Sequence, residues 1–492
     1  MKNKQMLAFD LGASGGRAML GSWDGELLRL EEIHRFPNEP VRVGDTLHWD
    51  ILRLFHEMKQ GMLKAKQAGG FDSVGVDTWG VDFGLLDARG NLLENPVHYR
   101  DTRTAGMLEE AFKRLSPQEL YARTGNQFME INTAFQLLSL RQNRPEVLER
   151  ADALLLMPDL FNFFLCGVQS AEYTIASTTQ LLNPEQKQWA WPVLEALDLP
   201  PGLLRPVLSP GTRLGGLWPS LFEELGIGPA DVIAVAGHDT QSALAAVPAL
   251  EKDFAFLSCG TWSLLGTELP APLLTEQARL GGMTNEGACG ERTSFLKNMT
   301  GLWTLQESRH HWARLGQCYS FDDMERMARN TRPLVTVIDP GAPGFSSAGA
   351  LPEQVRRYSA CTGQPVPQTD AEVIRCLYDS LVLQYRAAFH QLQACTGRRY
   401  DTLHMVGGGI RDRFLCQLTA DACGCRVLAG PTEAAALGNS AVQLAAAGEL
   451  SGPEQIREAV RRSVRPDEYL PAETAVWEAA QEKFRKVLNP VC

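Results

Sequence analysis

The sequence predicts an α/β protein with two lobes, because one hairpin pattern occurs near the start of each half of the chain. In residues 7–20 an apolar run ends at Asp10, turns through small residues and continues as a second apolar run. The same arrangement, with a turn of glycine and hydroxyl residues, recurs in residues 254–266. Apolar runs joined by glycine-containing turns are typical of paired strands. The repetition predicts a duplicated fold that holds a nucleotide between its halves.

A third small-residue loop strengthens this prediction. Residues 405–412 leave an apolar strand, pass through three successive glycines and enter a helical pattern. Three such loops at strand ends favour an actin-like ATP-binding fold. The chain contains no G-x-x-x-x-G-K-[ST] motif, which excludes a P-loop enzyme at the level of motifs.

The turn of the first hairpin has the composition of a phosphate-binding loop. Backbone N–H groups around Gly12, Ser14, Gly15 and Gly16 can form a nest for phosphate oxygens. Asp10 stands at the mouth of this turn, where a carboxylate can hold Mg²⁺ through its water shell. An ordinary hairpin whose aspartate stabilises the turn explains the same residues, so both interpretations stay open.

Length and composition limit the possible classes of protein. A chain of 492 residues is too long for one hydrophobic core, and we place the two lobes at residues 1–245 and 246–492. The formal charge of −11 disfavours nucleic acid and anionic membranes as partners. The apolar residues 6–9 are too few for a signal peptide, and polar residues interrupt the run 153–165. We therefore expect a cytoplasmic protein.

Cysteine usage agrees with a reducing compartment. Eleven cysteines are scattered without a zinc-binding spacing, and their odd number fits reduced thiols in the cytosol. Cys361 and Cys376 flank a proline-containing loop, and the sequence leaves open whether they ever pair.

Residues 73–87 combine an aromatic ring with carboxylates. Two strand-like runs enclose Asp77, Trp79 and Asp82. Such a set suits a sugar, because an indole ring packs against C–H faces while carboxylates accept hydroxyl protons. A buried strand pair with a packing tryptophan is the alternative.

Other polar positions carry weaker signals. Residues 99–103 are dense in charge and predict either a structural ion pair or a polar wall of a substrate pocket. Residues 171–182, rich in Ser, Thr and Gln, predict a turn and a strand at the edge of a lobe, and we assign them no chemistry. Asn298 and Gln306 lie on apolar runs, where satisfied core amides are the commoner explanation.

The sharpest chemical motif lies in residues 232–243. A buried apolar strand ends at Gly237, His238 and Asp239 follow at its tip, and Thr240 begins a helical pattern. Ligands of α/β folds bind at this end of the strands. Asp239 can accept the proton of a hydroxyl that attacks the γ-phosphate of ATP. It can also cap the helix, and both roles can hold at once.

Together these motifs resemble a known family. Residues 10–14, 260–263 and 407–409 are similar to loops of the FGGY carbohydrate kinases, which have two actin-like (ribonuclease H-like) lobes with sugar and ATP bound in the cleft between them. Further strings resemble the members of that family that phosphorylate L-rhamnulose: residues 76–83, 99–101, 157–159, 172–174, 178–181, 237–240, 284–287 and 297–303. They occur in the expected order along nearly the whole chain.

The resemblance implies transfer of the γ-phosphoryl group of ATP to O1 of L-rhamnulose, a step of L-rhamnose catabolism. Asp239 matches the family's proton acceptor, and Asp10 would help to hold Mg²⁺. The matching sugar contacts are Gly80, His238, Asp239, Thr240 and Asn298. The matching ATP contacts are Ala13, Ser14, Gly15, Gly16, Arg17, Thr261, Gln306 and Gly408. Gly15 replaces a serine of many relatives, which matters little to a nest of backbone N–H groups.

Three other functions stay open. A kinase for a related ketose such as L-fuculose would carry much the same Gly-His-Asp-Thr motif. An actin- or chaperone-like ATPase would need no sugar pocket, so Trp79, Asp82 and His238 speak against it. A non-catalytic sugar-binding regulator is disfavoured because Asp10, Asp239 and all three glycine loops are present. The sequence also leaves open whether the protein is a monomer or a homodimer.

Overall fold

The fold is described from a computed structural model, which covers residues 4–345 and 349–488. The chain divides into two compact units. The first contains the residues up to Ala249 together with Glu268–Phe295 and Glu433–Arg465. The second contains Leu250–Thr267, Leu296–Thr432 and the chain from Pro466 onward. Two segments that follow the predicted lobe boundary at residue 245 therefore belong to the first unit.

The strands up to residue 249 are β1 (Lys4–Gly12), β2 (Gly15–Trp23), β3 (Leu28–Pro37), β4 (Val41–Val43), β5 (Thr46–His48), β6 (Ser73–Thr78), β7 (Phe83–Leu86), β8 (Ala153–Leu156), β9 (Ala171–Glu172), β10 (Leu182–Asn183), β11 (Gln188–Trp189), β12 (Val207–Leu208), β13 (Thr212–Gly216) and β14 (Asp231–Ala234). The helices of this stretch are α1 (Ile51–Gln67), α2 (Met107–Phe112), α3 (Pro117–Thr124), α4 (Thr133–Asn143), α5 (Pro145–Arg150), α6 (Met157–Cys166), α7 (Tyr173–Ala176), α8 (Trp191–Ala196), α9 (Pro219–Leu225) and α10 (Asp239–Ala245).

The later strands are β15 (Ala255–Cys259), β16 (Trp262–Leu269), β17 (Thr284–Gly287), β18 (Thr293–Thr300), β19 (Thr402–Val406), β20 (Arg426–Ala429) and β21 (Asp467–Tyr469). The later helices are α11 (Glu276–Leu280), α12 (Trp303–Arg314), α13 (Phe321–Arg329), α14 (Leu351–Cys361), α15 (Asp370–Thr396), α16 (Arg413–Cys423), α17 (Ala434–Ala446), α18 (Gly452–Ser463) and α19 (Ala475–Val487). Short 3₁₀ turns occupy Thr102–Thr104, Pro201–Leu203, Cys289–Glu291, Pro343–Phe345 and Gly408–Arg411.

The first unit is built on a six-stranded sheet in the order β13-β14-β6-β1-β2-β3. The strands β14, β6 and β1 are parallel, and β2 returns antiparallel to β1 through the tight hairpin in which Gly12 faces Gly15. The central position of β1 explains its apolar run, because all residues from Met6 to Leu11 are buried.

The second unit repeats this topology around β15. β16 is its antiparallel hairpin partner, β19 and β20 follow in parallel, and β21 closes that edge in the antiparallel direction. In the first unit β2, β6, β14 and β13 surround β1 in the same order and directions. The α/β class and the duplication predicted from the two hairpins are thus confirmed.

Helix α17 packs inside the first unit, against α10 and the central strands. A Cβ added at Gly438 would lie 1.8 Å from the carbonyl oxygen of Ser242, so the two helix backbones touch where α17 has no side chain. Gln443 donates to the carbonyl of Leu7 on β1, and Ser73 on β6 donates to Gln443. The small residues of this helix bring it close to the sheet.

Several local predictions are also tested by the structure. From the sequence, Asp50 is predicted to cap a helix that runs to about Gly69; it caps α1, accepting a hydrogen bond from the backbone N–H of Arg53. Cys376 is a free, buried thiol beside Ser380, so the pairing of Cys361 with Cys376 that the sequence left open is not formed. None of the helices in the described ranges is long and apolar enough to cross a membrane.

Candidate active site

Three aspartates meet at the carboxyl edge of the first unit's sheet. Asp10 on β1 and Asp77 on β6 are direct register partners on parallel strands, so their side chains project from the same face. Thr78 bridges in parallel to His238, which places Asp239 just beyond the end of the next strand. The sequence singled out all three carboxylates, and the sheet brings them together at the edge where α/β proteins bind ligands.

Asp10 is paired with a cation of its own hairpin. Arg17 donates from Nη2 to Oδ2 of Asp10 over 2.5 Å, and its Nη1 is ion-paired with Glu433. The guanidinium predicted to contact ATP is therefore bound to two carboxylates of the first unit. Glu433 lies directly before α17 and was not predicted, since only the fold brings it to the hairpin.

Asp77 is fully buried and only half satisfied. Its Oδ2 accepts a 2.7 Å hydrogen bond from Nδ2 of Asn439, whereas Oδ1 has no hydrogen-bond partner in the described structure. Burial, followed by the negative charge of Asp10, raises the pKa of Asp77 well above the ordinary value of an aspartate. An acceptor left bare beside two further carboxylates is suited to a cation or its water.

The described residues do not form a site that coordinates such a cation directly. The described part of the chain contains no group of three or more His, Cys, Asp and Glu side chains placed to hold a metal ion. An ion retained through its water shell needs fewer direct ligands, and the unpartnered Oδ1 of Asp77 offers an acceptor for such a water. The residues therefore fit a hydrated divalent cation near Asp10.

Asp239 is the first residue of α10, and its carboxylate stays about 30% exposed. The cap position belongs to His238, so the alternative role of Asp239 as helix cap is wrong. Burial raises the pKa of Asp239 to about 6, with the charge of Asp10 adding to the effect and that of His238 opposing it. A carboxylate of this pKa is ionised at neutral pH and still basic enough to take a proton.

His238 lies between two carboxylates. Its Nδ1 is 2.9 Å from Oε2 of Glu286, and its Nε2 is 3.6 Å from Oδ1 of Asp239. Burial disfavours the imidazolium, but Glu286 and Asp239 outweigh it and raise the pKa of His238. Gln241 donates to the same oxygen of Glu286 over 2.8 Å and fixes that carboxylate. Glu286 belongs to a string that resembles the family, but no role was predicted for it.

Gly80 lies beside His238. A Cβ at Gly80 would be 3.5 Å from Nε2 of His238 and 3.3 Å from Cγ2 of Thr178. The backbone N–H of Asp82 bonds to the carbonyl of Gly80, which encloses Val81 at φ 67° in a γ-turn. Positive φ at a β-branched residue is rare and strained.

The carboxylate of Asp82 accepts hydrogen bonds from several segments around this turn. Its Oδ2 accepts hydrogen bonds from the indole N–H groups of Trp49 and Trp79 and from the backbone of Tyr99, and its Oδ1 accepts one from Gln136. The carboxylate is 1% exposed, so these protein donors occupy it. The buried alternative for this stretch describes Asp82 better than direct sugar binding does.

The charged residues 99–103 are also tied into the fold. Asp101 accepts from the backbone N–H groups of Leu47 and Arg103, and Arg103 donates to Gln136 over 2.6 Å. Since Gln136 in turn holds Asp82, this segment supports the buried network. The structural explanation of the segment is the one that these bonds favour.

In the hairpin turn the tip consists of Ala13 and Ser14, between the paired residues Gly12 and Gly15. Asn38 holds it by donating from Nδ2 to the carbonyl of Gly12. A Cβ at Gly16 would lie 2.3 Å from the ring of Phe36, so close packing requires glycine there.

Thr240 lies in α10 of the first unit and donates from its hydroxyl to Oδ1 of Asp239 over 3.3 Å, and the remaining predicted residues belong to the second unit. Thr261 lies in the turn of the β15–β16 hairpin and donates to Oε1 of Gln306 on α12 over 3.3 Å. Gly408 lies in the 3₁₀ turn after β19, next to the end of β15: a Cβ at the neighbouring Gly409 would be 2.4 Å from Sγ of Cys259. Asn298 is on β18. The hairpin turn and the glycine loop of this unit thus lie side by side.

Comparison with known proteins identifies the family. Residues 5–246 match the N-terminal domain of the FGGY family of carbohydrate kinases, and residues 255–447 match its C-terminal domain. The chain belongs to this family of carbohydrate kinases. A rhamnulokinase of Bacteroides thetaiotaomicron is 41% identical over 487 residues, which cover 99% of this chain and 100% of the relative. A rhamnulokinase of Oceanobacillus iheyensis is 38% identical over 93% of this chain and 96% of the relative.

Solved structures agree with the fold of the kinase. Gluconate kinase from Lactobacillus acidophilus has a TM-score of 0.81 at 16% identity, covering 99% of this chain and 98% of that one. Plasmodium falciparum glycerol kinase with ADP has a TM-score of 0.77 at 14% identity, with coverage of 99% and 98%. These likenesses support the two-domain sugar-kinase fold.

Sequence reasoning missed several partners in the site of the kinase. Asn439, Glu433 and Glu286 each contact a residue that the sequence did select. Each is a single polar residue in an apolar or small-residue run, and no motif identified it. Their polar character within otherwise buried segments is the signal that could have identified them, because buried polar groups require hydrogen-bond partners.

Proposed function

We propose that this kinase transfers the γ-phosphoryl group of ATP to O1 of L-rhamnulose and releases L-rhamnulose 1-phosphate and ADP. The observation that carries the proposal is the 37–41% identity with rhamnulokinases over nearly the full length of the chain. The partly exposed carboxylate of Asp239, whose neighbour His238 lies beside Gly80, supports it, because phosphoryl transfer to a sugar needs one positioned base.

Asp239 is proposed as the catalytic base. In its ionised form it accepts the proton of the O1 hydroxyl as the oxygen attacks phosphorus, so that a neutral acid replaces a carboxylate in the pocket. His238 is proposed to bind a sugar hydroxyl. Its Nδ1 bonds to Glu286, so Nε2 is the nitrogen that remains to face ligand. Gly80 and Thr240 are proposed as further sugar contacts in the first unit.

For the nucleotide, the family implies ATP with a divalent metal, and we propose Mg²⁺. Asp10 would hold it through water, aided by the bare oxygen of Asp77, and the ion would neutralise phosphate charge. In the first unit the backbone N–H groups of residues 13–17 are proposed to bind phosphate. In the second unit Thr261, Gln306 and Gly408 are proposed as nucleotide contacts and Asn298 as a sugar contact.

We propose family lobes at residues 1–245 and 246–492, and the matches of the two family domains to residues 5–246 and 255–447 support this division. We place the enzyme in the cytoplasm, where ATP and phosphorylated sugars are found, as a monomer or a homodimer.

The test is ADP release by the purified protein with ATP and Mg²⁺ in the presence of L-rhamnulose, L-fuculose, D-xylulose or glycerol. We expect the highest kcat/KM by far with L-rhamnulose. A preference for another ketose would refute the proposed sugar and keep the kinase. ATP hydrolysis that no sugar stimulates would refute the proposed kinase reaction.

A further inference from the structure

Residues 172–178 form a buried polar segment to which the sequence assigned no chemistry. Glu172 ends β9, residues 173–176 form the single turn of α7, and Ser177 and Thr178 follow. Every residue of the segment is buried. Buried hydroxyls and carboxylates require partners, so their hydrogen bonds reveal what the segment holds.

At its start the segment holds the residues that precede Asp239. Oε2 of Glu172 accepts a 2.9 Å hydrogen bond from the backbone N–H of Gly237. Oγ1 of Thr174 accepts one of 3.2 Å from the backbone N–H of His238. Two consecutive backbone N–H groups between β14 and α10 are thus fixed by this segment.

In its later part the segment holds the end of β17 and the turn between β6 and β7. Oγ of Ser177 accepts from the backbone N–H of Gly287 over 2.7 Å, next to Glu286. Oγ1 of Thr178 accepts from the backbone N–H of Val81 over 3.1 Å and donates to the carbonyl of Ile175 over 2.8 Å. The carbonyl of the same valine accepts from Thr133 and Gln136 on α4.

Among these contacts, the hydrogen bond between Thr178 and Val81 is the one most directly linked to an unusual backbone conformation. Val81 has φ 67°, and such a conformation persists only where the surroundings impose it. Thr178 supplies the acceptor for its N–H, and Thr133 and Gln136 supply donors for its carbonyl. The strained turn presents Gly80 beside Nε2 of His238.

We propose that Thr178 is a positioning residue for sugar binding, which holds the Gly80–Val81 peptide in its strained turn within the buried segment 172–178. The inference rests on the proposed function, because it takes Gly80 and His238 as sugar contacts. Loss of the acceptor lets Val81 relax toward negative φ, and the neighbouring Gly80 then moves away from His238.

Steady-state kinetics of Thr178→Val and Thr178→Ser test this role. Valine keeps the shape of threonine and removes the acceptor, so we expect the KM for L-rhamnulose to rise about tenfold while the KM for ATP changes less than about twofold. Serine keeps the hydroxyl and restores the wild-type KM.

Thr179 provides the matched control. It is the adjacent buried threonine, and its hydroxyl bonds only locally, to the carbonyl of Ala176 and the N–H of Leu181. Thr179→Val should lower the melting temperature and leave the KM for the sugar unchanged. Where Thr178→Val does not fold, as judged by circular dichroism, Thr178→Ala removes the same acceptor and takes its place.

A folded Thr178→Val or Thr178→Ala variant with the wild-type KM for the sugar would overturn the inference. An equal rise of the sugar KM in Thr179→Val would overturn it as well, because general loosening would then explain both. The proposed function is tested separately by the wild-type protein: if it prefers another ketose, the variants are compared on that ketose, and their ratio still decides the role of Thr178.

Discussion

Nδ1 of His238 lies 2.9 Å from Oε2 of Glu286, 48 positions later in the chain, and this contact links the pKa of the proposed base Asp239 to Glu286. Glu286 raises the pKa of His238, and the positive charge of His238 lowers that of Asp239. The pH dependence of the enzyme should therefore report on Glu286 as well as on Asp239.

The wild-type enzyme should lose activity in acid earlier than an ordinary aspartate would predict. Because the pKa of Asp239 is raised to about 6, protonation removes the base below that pH, and kcat/KM should fall about tenfold per pH unit. Initial rates measured across the pH range give this acid limb of the pH–rate profile. A plateau that continues down to about pH 4, the range of an unperturbed aspartate, would contradict the assignment.

Replacement of Glu286 should move that limb. In Glu286→Gln the imidazole loses the charge that favours its protonation, so it lowers the pKa of Asp239 less, and the acid limb shifts to higher pH. Glu291→Gln, at an exposed glutamate of the same segment, is the control and should leave the profile unchanged. An unshifted limb in Glu286→Gln would show that His238 does not couple to the base.

Removal of the base should stop turnover and preserve nucleotide binding. Asp239→Asn is expected to reduce kcat by about 10² to 10⁴, the usual range for a lost general base, with ATP affinity by calorimetry unchanged. Asp231→Asn, at the opposite end of β14 and paired with Arg213 at the surface, should keep full activity. Near-normal turnover of Asp239→Asn would refute the base.

The same variant should remain folded at pH 7. A carboxyl whose pKa is raised on folding adds stability at low pH, and this contribution is lost as the pH rises through about 6. Asparagine removes no favourable charge at neutral pH, so the melting temperature should not fall. A thermal unfolding curve checks this point. It shows whether a loss of activity comes from unfolding or from removal of the base.

Gly438→Ala should destabilise the first unit even though alanine is the better helix former. The added methyl would lie 1.8 Å from the carbonyl oxygen of Ser242, so α10 and α17 must separate. We expect a loss of about 3 kcal/mol in unfolding free energy, against a propensity gain of about 1 kcal/mol. Urea unfolding measures the difference.

Gly202→Ala is the control for that measurement. Nothing lies within 4 Å of a Cβ at this position in its 3₁₀ turn, so its stability should stay within about 0.5 kcal/mol of wild type. A stability of Gly438→Ala equal to that of this control would show that the two helices can separate at no cost.

A buried ion-pair network should also contribute to the unfolding free energy of the first unit. Glu268 is 2% exposed and binds Arg457 over 2.5 Å and Arg292 over 3.1 Å. Glu268→Gln removes the carboxylate charge that faces the buried Arg457 and should cost about 3 kcal/mol.

The exposed pair of Glu110 with Lys113 gives the comparison. Glu110→Gln should change the unfolding free energy by no more than about 1 kcal/mol, because solvent screens that pair. Chemical denaturation of both variants decides the matter, and equal effects would mean that the network contributes no more than a surface pair.

Local patterns in the sequence predicted a large part of the fold. The hairpin turn between Gly12 and Gly15, the cap of α1 by Asp50 and the strand that ends before His238 could all be predicted, because each depends on residues close together in the chain. The glycine loop at residues 407–409 was recognised for the same reason.

Long-range partners could not be predicted. Asn439 holds Asp77 across 362 positions, and Thr178 holds Val81 across 97. Neither has a local signature: asparagine sits in a small-residue helix and threonine in a polar segment that resembled an edge turn. The choice between the two interpretations of Asp82 could not be made either, since three of its four donors come from distant parts of the chain.

By itself the sequence determined the α/β class, the duplication and the identity of the carboxylate proposed as base, because strand periodicity, turn glycines and a strand-end aspartate are properties of short segments. The tertiary structure alone decided what surrounds those groups. The pKa of Asp239, the partner of His238 and the strained turn at Val81 depend on burial and on hydrogen bonds between distant segments. Such interactions exist only after the chain has folded.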